Sequence, residues 1–266
     1  MAIITEKKGQ LEILTAEGIG ARHCFTTRLG GVSSGNLSSL NISCHRGDRE
    51  ENVVKNYEIL AAALDCRAEN MVLSHQIHSD IVRTVTKADH LGFDHHRYPE
   101  CDALITNDPG TALVVFTADC TPILLWDEKT GAVGAVHAGW RGTAQNIAGK
   151  TVAAMCSQLG CQVQNIHAAI GPNIGPCCFQ TDAEVPQALL AAFGPETAAL
   201  IRQTGEKFYP DLKKINALAL QKAGVRQIDI STDCTVCQPD RFWSHRVHGP
   251  GRGSQGAIIL CGEGSL

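Results

Sequence analysis

Three apolar segments lie close together between residues 111 and 138, and their spacing is the strongest constraint on the fold. They cover residues 111–116, 122–126 and 132–138, and the connections between them are very short. Antiparallel strands can be joined by tight turns, whereas parallel strands need a crossover of a dozen or more residues. The segments therefore predict antiparallel pairing in this part of the chain, and not a strict alternation of strands and helices.

Other segments extend this pattern. Further short strands, buried on both faces, are predicted at residues 79–85, 165–170 and 256–261. Helical spacing of apolar residues occurs at 143–159, 182–193, 196–203 and 211–223. Thr143 and Asp211 are the predicted N-caps of two of these helices, and Gly160 is a predicted helix end. Together they predict a mixed α/β fold: a single compact domain over residues 1–266, with partly antiparallel sheets packed against helices.

Cysteine and histidine are unusually frequent. The chain has 12 Cys and 11 His, but this Cys content is well below the ~8–10% typical of disulfide scaffolds. The first residues contain no apolar stretch of the kind found in secretory signals, and no apolar run approaches the ~18 residues of a membrane span. We therefore expect a cytoplasmic protein whose Cys are mostly reduced packing residues.

The net charge of −4 gives no electrostatic reason to bind nucleic acid or an anionic membrane. We expect a small-molecule partner and a monomer or homodimer.

Polar side chains interrupt the apolar pattern in three segments, at residues 74–78, 117–122 and 135–143. One His of the first segment, with Cys120 and His137, gives two nitrogen ligands and one sulfur ligand. Such a set leaves one position open on a zinc ion, as in catalytic zinc sites. His75 and His78 would point to opposite faces of an extended segment but could act together on a helix. The residues alone leave that choice open, and isolated His and Cys are also common as packing residues.

The segment Gly139-Trp-Arg-Gly-Thr143 predicts an anion site. Its glycines allow close approach of a ligand, and a helix beginning near Thr143 would direct free N–H groups toward it. Arg141 beside a helix N-terminus suits an oxyanion or phosphate. The alternative is an ordinary strand-to-helix turn with a solvated Arg.

A long polar loop near the N-terminus supplies candidates for a substrate pocket. Its composition, rich in Gly, Ser and Asn between residues 27 and 48, is typical of an ordered functional loop. The candidates are Arg28, Asn41, His45 and Asp48. Solvated loop residues are the alternative interpretation.

Two C-terminal patterns have weaker interpretations. Cys234-Thr-Val-Cys237 has no second C-x-x-C at zinc-ribbon spacing, so packing or incidental redox chemistry is expected instead of a structural zinc site. The glycine pattern at 251–256 precedes a strand and therefore fails as a dinucleotide-binding loop. Arg252, with the neighbouring aromatic and basic residues 242–246, either borders a pocket or lies in a surface loop.

Several motifs together resemble the laccase-domain or polyphenol oxidase family, also described as single-metal purine nucleoside phosphorylases. The matching motifs run from about residue 22 to 260 and are Arg28-Leu-Gly-Gly-Val-Ser, Ser39-Leu-Asn-Ile, Gly47-Asp, Gln76-Ile-His, Asp102-Ala-Leu-Ile-Thr, Thr117-Ala-Asp-Cys-Thr-Pro, Val136-His-Ala-Gly-Trp-Arg-Gly and Ile170-Gly-Pro-Asn-Ile-Gly-Pro-Cys. The resemblance implies a compact α/β fold. It assigns His78, Cys120 and His137 as the metal ligands and makes His75 a neighbour of the site. Near the C-terminus the family usually has Phe-Phe-Ser-Tyr-Arg-Arg, where this chain has Phe242-Trp-Ser-His-Arg-Val.

The resemblance implies a zinc-dependent purine nucleoside enzyme. Its implied reactions are phosphorolysis of adenosine, inosine or methylthioadenosine, and adenosine deamination. In this hypothesis Arg141, the helix start at Thr143 and Arg28 hold phosphate. Asp119 supports the ligand Cys120 or acts as an acid–base group. The remaining candidates for orienting the nucleoside are Asn41, His45, Asp48 and His75.

Two alternatives stay open. A copper-dependent polyphenol oxidase is implied for some family members, and Cu²⁺ binds such ligands more tightly than Zn²⁺. The chain contains no H-x-H pair of the kind that multicopper oxidases use, so any copper is expected at the single site with a phenolic substrate. The second alternative is a cysteine hydrolase with Cys120 as nucleophile and His78 or His137 as base.

Overall fold

Two six-stranded β-sheets form the frame of the molecule in a computed structural model that describes residues 2–262. The first sheet has the strand order β1-β2-β3-β14-β7-β4. Its strands are β1 (Ile3–Lys8), β2 (Leu11–Ala16), β3 (His23–Thr26), β4 (Met71–Leu73), β7 (Ala112–Thr117) and β14 (Gln255–Leu260). All pairs in this sheet are antiparallel except β4 with β7.

The second sheet has the order β13-β10-β8-β9-β6-β5. Its strands are β5 (Val82–Thr84), β6 (Ala103–Thr106), β8 (Thr121–Asp127), β9 (Val133–Ala138), β10 (Ile166–Ile170) and β13 (Gln227–Ile230). The central pairs are antiparallel, whereas β5 with β6 and β10 with β13 are parallel. A separate two-stranded ribbon joins β11 (Ile201–Thr204) to β12 (Lys207–Pro210).

The core lies on both faces of the second sheet. Leu124 belongs to the apolar cluster shared with the first sheet, while its neighbours Ile123 and Leu125 belong to a cluster shared with helices. This division follows from the two-residue side-chain period of a strand. All three side chains are fully buried, so burial on both faces is confirmed for β8. The prediction is wrong for the strand expected at 79–85, because only Val82–Thr84 forms a strand and its residues are partly exposed.

Helices cover the outer faces. The helices are α1 (Glu50–Ala63), α2 (Trp140–Ala144), α3 (Ile147–Leu159), α4 (Glu184–Phe193), α5 (Leu212–Lys222) and α6 (His245–His248). Helix α1 contributes to the cluster of the first sheet, and α3, α4 and α5 contribute to the cluster behind the second sheet. The predicted mixed α/β architecture is therefore confirmed. No helix among residues 2–262 is both long and apolar enough to cross a bilayer.

Two helix predictions need correction. Thr143 is not an N-cap, because it lies inside the short helix α2. The cap of the long helix α3 is Asn146, whose side chain accepts a hydrogen bond from the Gly149 N–H and whose φ is 59°. The predicted helix at 196–203 is instead a 3₁₀ turn, Pro195–Leu200, followed by β11. Asp211 does cap α5, and Gly160 does end α3.

Candidate functional site

The pairing of β6, β8 and β9 gathers polar residues at one edge of the second sheet. Thr121, the first residue of β8, pairs with Ala138, the last residue of β9. Ala103, the first residue of β6, pairs with Val136. The register therefore places Cys120, His137 and Asp102 next to one another. The loop between β4 and β5 brings His78 to the same edge.

His78, Cys120 and His137 each offer one ligand atom, and these atoms lie within 4.8 Å of one another. The Cys120 Sγ is 3.9 Å from His78 Nε2, and the two imidazole rings are 5.0 Å apart and nearly perpendicular. Zinc–sulfur and zinc–nitrogen bonds of ~2.3 and ~2.0 Å in a tetrahedron separate the ligand atoms by about 3.6 Å. The arrangement therefore fits a small tetrahedral cation with one position left for a substrate or water.

Asp102 organises this ligand set from behind. Its carboxylate is fully buried and accepts hydrogen bonds from the backbone N–H groups of His78 and Ser79 at 3.1 and 2.7 Å. His137 Nδ1 lies 2.8 Å from its Oδ1. This bond leaves Nε2 of His137 for the site and fixes the ring orientation, as carboxylate–histidine pairs do at metal centres. Sequence reasoning assigned no role to Asp102.

The electrostatics of the site favour an ionised thiol. Burial alone would raise the pKa of Cys120, but the charge and hydrogen bond of His137, with His78, lower it to about 6. Burial likewise opposes the charged form of His137, but the Cys120 thiolate and Asp102 raise its pKa to about 9. Desolvation works against the Asp102 carboxylate, yet His137 and Ser79 bring its pKa down to about 2. Without a cation, a thiolate–imidazolium pair is therefore expected near neutral pH.

The backbone at the site adopts unusual conformations. His78 and Asp119 have φ values of 62° and 88°, which non-glycine residues rarely adopt and which cluster at functional sites. Gly139 lies directly against the ligands. A Cβ there would come within 2.9 Å of the His78 ring and 3.3 Å of the Cys120 sulfur. The close approach at Gly139 is therefore to the His78 and Cys120 side chains, and the predicted approach to an anion stays a prediction.

His75 and His45 lie outside the three-residue ligand set. His75 Nδ1 is 3.1 Å from the Tyr98 carbonyl, and its ring is near those of His95 and His96. His45 stacks on His96 at 3.9 Å and its Nε2 is 2.8 Å from Asp94. These histidines form a separate cluster, which reaches the site through His95.

Asp119 holds a neighbouring loop in place. Its carboxylate accepts hydrogen bonds from the Thr235 hydroxyl at 2.6 Å, the Ser244 hydroxyl at 3.0 Å and the Arg246 N–H at 2.7 Å. Asp119 is 8% exposed. These contacts favour the predicted supporting role over the predicted acid–base role.

Arg141 lies away from the site. It is exposed, and its guanidinium stacks on the ring of the neighbouring Trp140 at 4.3 Å. It lines neither of the two cavities at Cys120. The helix that begins at Trp140 has only five residues. The predicted phosphate contact of Arg141 therefore has no geometric support.

The polar groups of the remaining pocket candidates form hydrogen bonds and contacts within the protein. Asn41 is completely buried, and its amide bonds to Ser43, Asp48 and the Ser254 N–H. Asp48 also accepts a hydrogen bond from the Ser33 hydroxyl. Arg28 donates to the carbonyls of Ser38 and Pro239 and lies 3.9 Å over the Trp243 ring. Since these contacts occupy their polar groups, the structure argues against direct substrate contact by Asn41, Asp48 and Arg28.

Two cavities meet over the ligand set, and both include His78, Ala118, Cys120 and Arg252. The smaller, of about 140 Å³, also contains Arg46, His95 and His137. The larger, of about 270 Å³, has an apolar wall that includes Phe179.

Arg46 is a functional candidate that sequence reasoning did not single out, and Arg252, which the sequence placed either at the border of a pocket or in a surface loop, lines both cavities. The Nε atoms of both residues are buried without a hydrogen-bond partner among the described residues. Burial and the nearby Arg46 lower the pKa of Arg252 to about 10, so it remains cationic at neutral pH. Two guanidinium groups beside one cavity, each with an unused buried donor, make a site for an anion. Arg252 follows a short glycine-rich turn, and this pattern alone was only a weak indication of a binding site.

Comparison with known proteins identifies the family of this chain. Residues 22–262 match the family model described as multi-copper polyphenol oxidoreductase laccase. Purine nucleoside phosphorylase YlmD of Geobacillus stearothermophilus is 37% identical over 261 residues, covering 96% of this chain and 94% of that protein. Purine nucleoside phosphorylase YlmD of Bacillus subtilis is 35% identical, covering 84% and 82%.

A solved structure shows the same fold. The crystal structure of YlmD from Geobacillus stearothermophilus superposes with a TM-score of 0.91 at 36% identity, covering 98% of this chain and all of that one. The sequence resemblance is therefore confirmed: the chain belongs to the multi-copper polyphenol oxidoreductase laccase family, whose relatives include proteins named purine nucleoside phosphorylase.

Proposed function

We propose that this protein is a metal-dependent purine nucleoside phosphorylase. The observation that carries the proposal is the juxtaposition of an anion site with a candidate metal centre. Arg46 and Arg252 supply unused buried donors in the smaller cavity, which also contains His78, Cys120 and His137. The names of the relatives support the same activity.

The two cavities suggest how the substrates are divided. Inorganic phosphate binds in the smaller cavity, where Arg46 and Arg252 neutralise its charge. The nucleoside occupies the larger cavity, where Phe179 and Ile174 give an apolar wall for a purine. Because the cavities share Cys120 and Arg252, the two substrates meet above the ligand set. This arrangement supports attack of a phosphate oxygen on the glycosidic carbon.

The donor set fits zinc, with His78, Cys120 and His137 as ligands. Zn²⁺ when bound would supply a Lewis acid at the open position. The chain itself contributes orientation: Asp102 fixes His137 and the backbone at His78, and Asp119 holds the loop that carries Arg246. Phosphorolysis forms a bond from phosphate oxygen to the ribose carbon and breaks the bond to the purine nitrogen, which takes up a proton. The products are the free base and ribose 1-phosphate.

Adenosine, inosine and methylthioadenosine are the proposed substrates, and adenosine deamination is a proposed additional activity. Deamination would consume water and not phosphate. Product analysis with and without phosphate therefore separates the two reactions.

The phosphate assignment is tested with Arg252→Gln. Loss of a charge-assisted contact of about 1.5–3 kcal/mol predicts a rise of roughly 10- to 100-fold in the KM for phosphate. Arg141→Gln is the matched comparison, because Arg141 is exposed and lines neither cavity. Its KM for phosphate should stay close to that of the unmodified protein. An increase with Arg141→Gln and none with Arg252→Gln would contradict the assignment.

A cysteine hydrolase is the second candidate, because Cys120, His137 and Asp102 lie in the order of a nucleophile, base and orienting acid. Such an enzyme would work without a metal. A chelator that abolishes turnover, with recovery on adding zinc, would dismiss it. The copper oxidase predicts oxygen consumption with a catechol that tracks copper content.

A further inference from the structure

Four cysteines come together outside the site described above. Cys177 and Cys178 lie in the turn after β10, and Cys234 and Cys237 lie in the turn after β13. One sulfur from each lies within 4.8 Å of the other three. Sequence reasoning discounted Cys234-x-x-Cys237 because it found no second C-x-x-C. The partner is an adjacent Cys-Cys pair, and only the fold brings it near.

The sulfur separations match a tetrahedral metal site. Cys237 Sγ is 3.6 Å from that of Cys177 and 3.5 Å from that of Cys178. Four sulfurs at ~2.3 Å from a zinc ion would be about 3.8 Å apart. A disulfide needs a sulfur–sulfur distance of ~2.0 Å. The sulfurs therefore converge as a group of four and do not form bonded pairs.

The surroundings of the cluster orient one of the four thiols and leave a path for a metal ion. The Gly175 N–H donates to Cys234 Sγ at 3.2 Å, a contact that orients ligands around protein metal sites. Cys177 and Cys237 are exposed, which gives an ion a path from solvent. Exposure also argues against the packing role that the sequence suggested for these two residues.

Backbone contacts already hold the two turns together. Thr235 N–H donates to the Asn173 carbonyl at 3.0 Å and so joins the two segments. Within the first turn, Cys178 N–H donates to the Gly175 carbonyl at 2.9 Å. The four thiols are thus presented by a preformed scaffold. A scaffold of this kind lowers the ordering entropy that a metal must overcome.

We propose that Cys177, Cys178, Cys234 and Cys237 bind a second metal ion, a structural zinc in a closed tetrathiolate site. Soft thiolate ligands select zinc over hard cations such as magnesium and calcium. The ion ties the turn at 175–179 to the turn at 234–238.

This second ion stabilises one wall of the larger cavity. Thr235, between the two C-terminal ligands, donates a hydrogen bond from its hydroxyl to the Asp119 carboxylate. Arg246 donates to the Cys178 carbonyl at 3.2 Å, and Phe179 follows Cys178 directly in the chain and lines the cavity. Loss of the ion should loosen these contacts without removing the ligands His78, Cys120 and His137.

The proposal is tested by the metal content of protein purified in its native state without chelators. We expect about two zinc ions per chain in the unmodified protein and about one in Cys177→Ser/Cys237→Ser. Cys120→Ala should also retain about one ion, at the other site. Cys66→Ser is the matched control, because this half-buried thiol belongs to neither group of ligands, and it should retain both ions. An unchanged metal content in Cys177→Ser/Cys237→Ser would overturn the proposal.

A second measurement needs no variant that could misfold. Cobalt-loaded, unmodified protein should show sulfur-to-cobalt charge-transfer absorption from the four clustered thiolates in addition to that of Cys120. Absorption equal to that of one thiolate would overturn the proposal. So would a mass deficit of two hydrogens located to the peptides of this cluster, because it would show that the thiols form a disulfide. Neither result depends on phosphorylase activity.

Discussion

At the scale of single residues, the sequence motifs singled out His78, Cys120 and His137, which the fold brings within 4.8 Å of one another, but they did not reveal the residues that support this group. Each of His78, Cys120 and His137 belongs to a short motif of consecutive residues, which can be recognised in the sequence. Asp102 reaches His137 only through the pairing of β6 with β9. Arg46 and Arg252 come from segments more than two hundred residues apart. Such contacts depend on long-range register, which local patterns do not contain.

Asp102→Asn tests the support of the ligand set. An amide cannot provide the negative charge that orients and polarises His137, so metal affinity should fall by about 10- to 100-fold. Competition with a chromophoric chelator measures this change. Asp240→Asn, at an exposed position, is the control and should leave the affinity unchanged. Equal affinities in all three proteins would show that Asp102 does not act through His137.

The reactivity of Cys120 gives a test by pH. In metal-free protein its pKa is about 6, lowered mainly by His137 against the effect of burial. The thiolate is therefore lost as pH falls below 6 and is nearly complete at pH 7. The rate of alkylation by iodoacetamide, followed on the Cys120 peptide by mass spectrometry, should rise to a plateau above pH 7. A rate that keeps rising to pH 9, the value for an ordinary thiol, would contradict the ion pair.

Gly139→Ala tests the close approach of the backbone. The added methyl group would lie 2.9 Å from the His78 ring, so the ring must move away from Cys120. Metal affinity should fall while the fold remains, as judged by circular dichroism. Gly142→Ala is a demanding comparison, because its Cβ would meet a backbone carbonyl at 3.0 Å but no ligand side chain. A loss of affinity with Gly142→Ala alone would argue against a specific role of Gly139.

At the scale of elements, five buried strands were predictable, whereas the equally buried β3, β4 and β6 and several boundaries were not. Continuous apolar runs located β7, β8, β9, β10 and β14 to within a residue or two. The helix predicted from residue 143 failed at its start because Asn146 adopts a left-handed conformation and breaks the helix in two. The helix predicted at 196–203 failed because Ile201–Thr204 pairs with β12. In both places a tertiary contact or a single φ angle overrides helical periodicity.

The Asn146 cap predicts a stability difference. Asn146→Ala removes the hydrogen bond to the Gly149 N–H. It also forces an alanine, which cannot make a side-chain hydrogen bond, to adopt a φ of 59°. Loss of a cap costs about 0.5–2 kcal/mol, and the left-handed conformation adds to this for alanine. Asn146→Gly loses the cap but adopts the angle freely, so it should be less destabilised. Urea denaturation compares the free energies of unfolding, and an alanine variant at least as stable as the glycine variant would contradict this explanation.

At the scale of the whole molecule, two sheets with different topology create the site. The hairpin of β8 and β9 provides Cys120 and His137, and the first sheet provides one side of the cavity through Phe116 and Thr117 of β7. The sequence placed three apolar runs together and correctly favoured antiparallel pairing of β8 with β9. It could not show that β7 belongs to the other sheet, because that depends on which partner each strand finds.

The overall fold also explains why the phosphate contact predicted for Arg141 has no geometric support. Arg141 and the turn around it had the composition of an anion site, and only the orientation of α2 removes them from it. Arg46 and Arg252 replace them because their donors are buried and unused. The proposed anion site is therefore assembled from distant loops.

The most direct test of the account is phosphate-dependent release of purine base from inosine and adenosine by zinc-loaded protein, compared with Cys120→Ala under the same conditions. The account predicts formation of free base and ribose 1-phosphate that requires phosphate, is lost after chelation, returns with zinc, and is absent in Cys120→Ala. Undiminished, phosphate-dependent turnover by Cys120→Ala, with no metal bound at this site, would contradict it.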